Sequence, residues 1–471
     1  MRRIYLLGGI VLALWLINPV LVQGQSSGKG AISTEILKQI QDALVLDGPT
    51  KAMINAVSNN DIKELALNRD VAGKTDHFFA HKIETKGITN QKSSGRCWLF
   101  TSLNVLRPKV IEKYNLKELE FSENYSFFWD QFEKANLFLE GIIATRDQKI
   151  DDREVEWLFK HPIQDGGIWN YAVGLIEKYG LVPKEVMPET HNSENTGMMS
   201  RLMRRKLREQ GMQLRKLHQE GKKLEALRNE KIKMLSDIYR MLVINLGVPP
   251  TEFTWRYEDK EGKLSESQQY TPQTFYKEIV GIDLNEYVQL MNDPSKPYYK
   301  LYQIKYDRNM IDRPDWIFVN LPTDEIKQFA KTSILADEVL YFACDVGKQL
   351  EGDEGVLRVG IYDYESIYGV KFGMTKAERV LTFESGSTHG MALVGVDTTT
   401  DGKTTKWLLE NSWGKDRGHN GFLTMTDKWF DEYMFRLVVH KKFVADKVLD
   451  ILKQKPIILP PWDQMFSPVE Y

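Results

Sequence analysis

The chain changes its periodicity part-way along, and that change limits the folds open to it. Up to about residue 250 its apolar side chains recur at helical spacing; from about residue 390 they come in short strand-length runs separated by turns. In the first part, Cys97 opens an apolar helix with Leu99, Phe100, Leu103, Leu106 and Val110 on one face, and Pro108 is expected to kink or end it. Helical patterns continue through Phe127-Phe128-Trp129 and Phe138-Leu139. Earlier, Ser33-Thr34-Glu35 opens a helix to about Leu46, and a second helical pattern covers about Thr50 to Ala66. In the later part, Met391 to Val396, Trp407-Leu408-Leu409, Gly421-Phe422-Leu423 and Phe435 to Val439 read as strands, with Asp401-Gly402 as a hairpin turn. The expected fold class is α+β: a helical lobe and a β-rich lobe with a cleft between them. A length of 471 residues allows two or three domains or one enlarged fold.

The first residues read as an address. Arg2 and Arg3 precede a nearly all-apolar run from Ile4 to Val22, and Val22-Gln23-Gly24 supplies the small or apolar residues of a cleavage site. Asn18 and Pro19 interrupt the run before it comfortably spans a bilayer. The expectation is a signal peptide over 1–24, a mature chain from near Gln25 in the periplasm or outside the cell, and no stable membrane partner after cleavage. A retained anchor is the alternative. Between Ser200 and Arg240 there are thirteen Lys or Arg against five Asp or Glu on an amphipathic helical rhythm, which reads as an inserted helical region ending near Pro249-Pro250. Two readings stay open for it: a solvated helical face, which is favoured, or a patch for nucleic acid or another polyanion. An exported chain rarely meets nucleic acid, and the net charge of −2 gives no general attraction to it. No His-Glu-x-x-His and no paired Cys-x-x-Cys occurs, so no metal or other cofactor is expected.

The two cysteines, Cys97 and Cys344, do not make a disulfide framework. Cys344 is expected to be a small buried hydrophobe. Cys97 is different, because it follows the turn-rich Lys92-Ser93-Ser94-Gly95-Arg96 and starts a helix. A thiol attacks a carbonyl only as thiolate, and both a helix N-terminus and a neighbouring imidazole favour that form. His389 is the candidate imidazole, since it sits at a strand edge beside Gly390 after Ser385-Gly386-Ser387-Thr388. Asn411, 22 residues further on and past the hairpin, is placed to orient that ring through its amide oxygen. Gln91, six residues before Cys97, can supply an amide N–H to a developing oxyanion, with the backbone N–H of Cys97 as the second donor. The other histidines are expected to be surface or satisfied core residues.

Gln91-Lys92-Ser93-Ser94-Gly95-Arg96-Cys97-Trp98 resembles the nucleophile segment of papain-like peptidases, and Asn411-Ser412-Trp413-Gly414 resembles their Asn segment. Ordinary papain relatives separate Cys and His by about 130–150 residues, whereas here the separation is 292. That excess is similar to the bleomycin hydrolase and aminopeptidase C family, which carries large insertions. Asp165-Gly166-Gly167-Ile168-Trp169, Tyr179-Gly180-Leu181-Val182-Pro183, Cys344-Asp345-Val346-Gly347-Lys348 and Pro456 to Asp463 add to the likeness. The resemblance implies a papain-like two-lobe fold, a helical lobe plus an antiparallel β-barrel-like lobe, with a large helical insertion and a C-terminal arm. The implied organisation is an N-terminal helical segment over 25–75, the helical lobe over 76–190, a basic hook-like insertion over 191–300, the β-rich lobe over 301–445 and the arm over 446–471. It also implies a cysteine aminopeptidase acting on peptides, a homohexamer, and an arm whose terminal carboxylate, on Tyr471, captures the substrate's α-amino group. Gly166 and Gly167 would then offer backbone groups to the substrate, and Trp413 would shield the Asn411–His389 bond. The arm's ending, Phe466-Ser467-Pro468-Val469-Glu470-Tyr471, is longer and bulkier than is usual in the family, so an endopeptidase with a displaced arm is one alternative and a polyanion-binding protein on the same fold is another.

Overall fold

Residues 30–466 are described by the structure, a computed structural model; the expected signal peptide and Tyr471 lie outside them. The chain divides into two compact units between Leu65 and Ala66. In the first, α1 (Thr34–Ala43) starts where the Ser33 hydroxyl accepts from the N–H of Ile36 at 3.3 Å, and α2 (Gly48–Val57) starts where Asp47 accepts from Thr50 at 2.8 Å. The single helix expected over 50–66 breaks after Val57. There the side chains of Asn59 and Asn60 donate to the carbonyls of Asn55 and Ala56 at 2.7 and 2.8 Å and so compete with the helical ladder. A short helical turn, Ile62–Ala66, follows.

In the second unit, α3 (Cys97–Lys113), α4 (Glu123–Ala144) and α5 (Trp169–Tyr179) form the helical core. Every α3 residue from Trp98 to Arg107 is buried, so the helix is enclosed on all sides rather than amphipathic. Pro108 neither ends nor divides it; packing around the whole helix holds the turn together although one ladder bond is missing. The inserted region is a hairpin of two helices, α6 (Gly197–Gln219) and α7 (Leu224–Leu246). They run antiparallel, as the Gln210 side chain donating to the Met234 carbonyl at 3.1 Å shows. Met203, Leu207 and Leu214 on α6, with Leu227, Ile238 and Leu242 on α7, belong to the same core as α4. Several of the basic side chains are engaged locally. Lys231 meets Glu140 at 2.6 Å and Lys206 meets Glu209 at 2.9 Å, while Arg215 donates to the carbonyls of Thr145 and Gln148 past the end of α4.

The β-rich part is one mixed sheet. Its strands are β1 (Tyr287–Met291), β2 (Lys300–Ile304), β3 (Ile317–Asn320), β4 (Leu340–Cys344), β5 (His389–Thr398), β6 (Thr404–Glu410), β7 (Phe422–Thr426), β8 (Met434–His440) and β9 (Ile457–Leu459). The order is β9-β2-β3-β1-β8-β4-β5-β6-β7, continued by two short strands, Val356–Leu357 and Leu350–Glu351. The six strands from β1 to β7 along this path are antiparallel; β1 with β3, β2 with β9, and β7 with Val356–Leu357 are parallel. β5 is fully buried over its first eight residues, as a central strand with both faces covered must be.

One buried ion pair links the helical core to the sheet. Arg107 on α3 donates to Glu410 at the end of β6 at 2.7 Å, and to the carbonyl of Gly87 at 2.9 Å. Removing one partner strands the other charge away from water. Arg107→Met should therefore lower the midpoint of urea unfolding by the equivalent of about 3–5 kcal/mol, and adding Glu410→Gln should restore part of the loss.

Candidate active site

The loop before α3 is fixed from several directions. Ser94 donates to the carbonyl of Gln91 at 2.6 Å, Arg96 donates to Ser94 at 3.0 Å, and buried Arg96 pairs with Glu189 at 2.9 Å. The Gly95 N–H donates to Asp165 at 3.3 Å, and the Trp98 indole donates to the Asp165 carbonyl at 2.8 Å. These bonds hold Cys97 as the first residue of α3, with its sulfur at the positive end of the helix.

His389 is the first residue of β5, beside Cys344 on β4. Its Nε2 lies 2.8 Å from Oδ1 of Asn411. The same oxygen accepts the backbone N–H of Ser412 at 2.8 Å, which fixes the amide with its oxygen toward the ring. Nε2 must then carry the proton, and Nδ1 is left to face the Cys97 sulfur, with which the ring shares a hydrogen bond. Burial alone raises the Cys97 thiol, but the charge and hydrogen bond of His389, with the N–H groups of Gly390 and Trp98, outweigh it and bring the thiol below its ordinary 9.0. Burial likewise opposes the charged form of His389, but Cys97 and then Asn411 outweigh it and raise the imidazole above its ordinary 6.5. Both shifts favour a thiolate–imidazolium pair. Cys344 has no such help: burial pushes its thiol well above 9.0.

Gln91 comes to this pair by backbone pairing across the two lobes. Its N–H donates to the Ser412 carbonyl at 2.8 Å, and the Gly414 N–H donates to Thr89 at 3.0 Å. Gly414 has φ +84°, and a Cβ there would fall 2.5 Å from the Asn90 amide, so the junction needs a glycine. The Gln91 Oε1 accepts from the Ser412 hydroxyl at 2.7 Å, and one hydrogen on Nε2 goes to the Ser94 carbonyl at 2.7 Å. The second hydrogen of Nε2 is available for an oxyanion, together with the first-turn N–H of Cys97. Ser412 thus orients Gln91, a role that its place in the Asn-Ser-Trp-Gly run did not disclose.

Cys97, Gln91 and His389 line one cavity of about 810 Å³, together with Gly166, Gly167 and the arm residues Met465 and Phe466. The Trp413 ring lies against His389, with centroids 4.9 Å apart. Gly167 packs so closely that a Cβ would stand 2.6 Å from the Trp98 ring. The two glycines are not equivalent: Lys134 already donates to the Gly166 carbonyl at 2.7 Å, to the Gln164 carbonyl at 2.8 Å and to Asp130 at 2.6 Å. The backbone groups of Gly167 have no partner among the described residues and remain for an extended ligand. Lys134 carries no motif; its one sequence signal is the i, i+4 pairing with Asp130 on a helix that is otherwise mostly buried. Tyr471 lies outside the described residues.

Two outcomes follow for a thiolate attacking a carbonyl here. Iodoacetamide should label Cys97 much faster than Cys344 at neutral pH, read by peptide mass, and His389→Ala should remove most of that difference. Gln91→Ala should lower kcat on an aminoacyl amide by about 10²–10³, whereas Ser412→Ala, which only frees the Gln91 amide, should lower it about tenfold.

Residues 31–466 match the family model described as the Peptidase C1-like family. Bleomycin hydrolase of Rattus norvegicus is 40% identical over 422 residues, covering 87% of this chain and 93% of that protein. Aminopeptidase C of Lactobacillus delbrueckii subsp. lactis is 39% identical over 416 residues, covering 87% and 92%. The crystal structure of PepW from Lactobacillus rhamnosus HN001 superposes with a TM-score of 0.90 at 39% identity, over 93% of this chain and 99% of that one. A cysteine at a helix N-terminus, an imidazole oriented by an asparagine and these likenesses agree, and the chain belongs to the Peptidase C1-like family of papain-fold cysteine peptidases.

Proposed function

We propose that this protein is a cysteine aminopeptidase that removes N-terminal residues from peptides. The observation that carries the reading is the sharing of one cavity by the Cys97–His389 pair and by Met465 and Phe466 of the arm. The Cys97 thiolate adds to the scissile carbonyl, forming the S–C bond, and the oxyanion is met by Gln91 Nε2 and the Cys97 N–H. The His389 imidazolium gives its proton to the departing amine as the C–N bond breaks, leaving an acyl-enzyme. A water then loses a proton to His389, attacks the thioester and releases the acid with the thiol. Asn411 holds the ring through both steps.

The arm supports the choice of an aminopeptidase. It is anchored by β9 against β2 and by Asp463 on Lys296 at 3.0 Å, and it enters the cavity at Met465. Ser467 to Tyr471 follow Phe466 in the sequence; extended, they span at most about 17 Å. By the family resemblance, a carboxylate at the end of the arm would meet a substrate α-ammonium in a charge-assisted hydrogen bond. The relatives named aminopeptidase C and bleomycin hydrolase support the same reading. An endopeptidase with a displaced arm is not favoured, and neither is a polyanion-binding protein, since several basic groups of the inserted hairpin are engaged locally.

Export is supported by Arg2-Arg3 followed by the apolar Ile4 to Val22. Assembly into six copies is supported by the family resemblance and would be read from the native mass. Outside the cytosol the activated thiolate is open to oxidation, so activity should depend on reductant.

Free and N-acetylated forms of one short peptide separate the possibilities. The free amine should be cut at its first bond, with kcat/KM at least tenfold above the acetylated form. Equal rates would remove the carboxylate-capture reading while leaving the cysteine chemistry intact.

A further inference from the structure

β4 ends at Cys344 and β5 begins at His389, directly opposite it. One residue further out on each side stand Asp345 and Thr388. Asp345 is only 2% exposed, and its carboxylate faces the loop that leads into β5. Oδ2 accepts from the Ser385 hydroxyl at 2.7 Å, and the Gly386 N–H is a further donor. The Thr388 hydroxyl is shared between Oδ1 at 3.5 Å and the Cys344 carbonyl at 3.3 Å. The backbone closes the corner: the Thr388 N–H donates to the Cys344 carbonyl, and the Asp345 N–H to the Tyr433 carbonyl, both at 3.0 Å. Lys348 adds its charge to the surroundings of the carboxylate and pairs with Glu384 at 2.7 Å.

A buried carboxylate is costly unless it is hydrogen-bonded, and burial does push the Asp345 carboxyl above its ordinary 3.8 against the pull of these donors. What a carboxylate offers in return is two oxygens, with lone pairs enough for three donors of one short loop. The loop needs such a grip. Residues 385–388, Ser-Gly-Ser-Thr, belong to no helix or strand and are small. Phe383, just before them, has φ +63°, a conformation an aromatic residue rarely holds without contacts that impose it. Yet Ser385, Gly386, Ser387 and Thr388 all line the catalytic cavity and run straight into His389. The Asn411 oxygen fixes the direction of the imidazole, but where the ring starts from is set by the backbone at 389, which this corner holds.

We propose that Asp345 is a positioning residue for His389: it pins Ser385, Gly386 and Thr388 so that the imidazole enters β5 in the setting where Nδ1 faces the Cys97 sulfur. The carboxylate is not among the groups that line the cavity, so it acts only through the loop. This deepens the reading of Cys97 and His389 as the reacting pair and rests on it. It does not depend on whether peptides are cut from their N-termini.

The experiment compares the full-length wild type with Asp345→Asn, Asp345→Ala, Ser385→Ala and the double variant Asp345→Ala with Ser385→Ala. The first readout is the rate at which iodoacetamide alkylates Cys97 across pH, with the urea unfolding midpoint measured alongside. Asp345→Ala should move the alkylation profile upward, toward the ordinary 9.0 of a thiol. Asp345→Asn, which keeps the shape and one acceptor, should move it less. The second readout is kinetic. On an aminoacyl amide Asp345→Ala should lower kcat by about 10²-fold, the effect of a small misplacement of a reacting group, with a much smaller change in KM. Ser385→Ala should lower kcat about tenfold, and the double variant should be no worse than Asp345→Ala alone, because both act through one contact. A lower unfolding midpoint with the alkylation profile left in place would make Asp345 a purely structural residue and overturn the proposal. Losses that add in the double variant would overturn it too. Should Asp345→Ala fail to fold, an unshifted profile in both Asp345→Asn and Ser385→Ala would do the same. A wild-type profile already centred near 9.0 would overturn the Cys97–His389 pair itself, and this positioning role with it.

Discussion

The Cys97 sulfur facing the His389 ring, each drawn toward its charged form by the other, is the interaction on which this molecule is organised. Neither group gains from burial on its own: desolvation raises the Cys97 thiol and opposes the charge on His389. Each is drawn toward its charged form by the other, and fixed dipoles add to the pair. The N-terminus of α3 and the N–H of Gly390 face the sulfur, and the Asn411 oxygen faces the ring. A carboxylate in place of Asn411 would add a negative charge to the centre; an amide oxygen orients the ring without doing so.

That pair requires two parts of the chain 292 residues apart in sequence to meet to within hydrogen-bond distance. The fold does this at three places. The all-round burial of α3 seats the helix against β5; the Arg107–Glu410 pair ties its middle to β6; and the segment before Cys97 pairs by backbone with the segment after Asn411. The last of these also delivers Gln91, so the proposed donor for the oxyanion and the residue that orients the histidine are set by one joint. The inserted α6–α7 hairpin contributes to the core around α4 and reaches the loop before Cys97 through Ser200, which donates to Asp165 at 2.9 Å.

The sequence made much of this legible because its signals are local. Apolar spacing after Cys97 announces α3, the turn at Asp401-Gly402 brings Asn411 back beside His389, and the quoted motifs name the residues that the cavity gathers. What was not legible depends on contacts between distant side chains. Nothing in the periodicity says that Ser412 grips Gln91, that Lys134 occupies the Gly166 carbonyl, or that packing carries α3 through Pro108. The break after Val57 escaped for a different reason: two asparagine side chains outcompete the helix there, and they read equally well as ordinary polar helix residues. Gly166 and Gly167 formed one motif in the sequence, but only the structure shows that a lysine has taken the carbonyl of the first.

The arm enters the cavity that the pair occupies, and its Phe466 ring meets Trp316 edge to face at 5.3 Å. All of it presupposes that Cys97 is ionised by His389. The most direct test is the ultraviolet absorbance of the thiolate followed across pH, as the difference between the wild-type protein and Cys97→Ser, and again in a His389→Gln background. The account predicts a thiolate that persists below pH 9.0 in the wild type and whose titration moves upward when His389 is replaced. A thiolate that forms only near 9.0 in both backgrounds would contradict it.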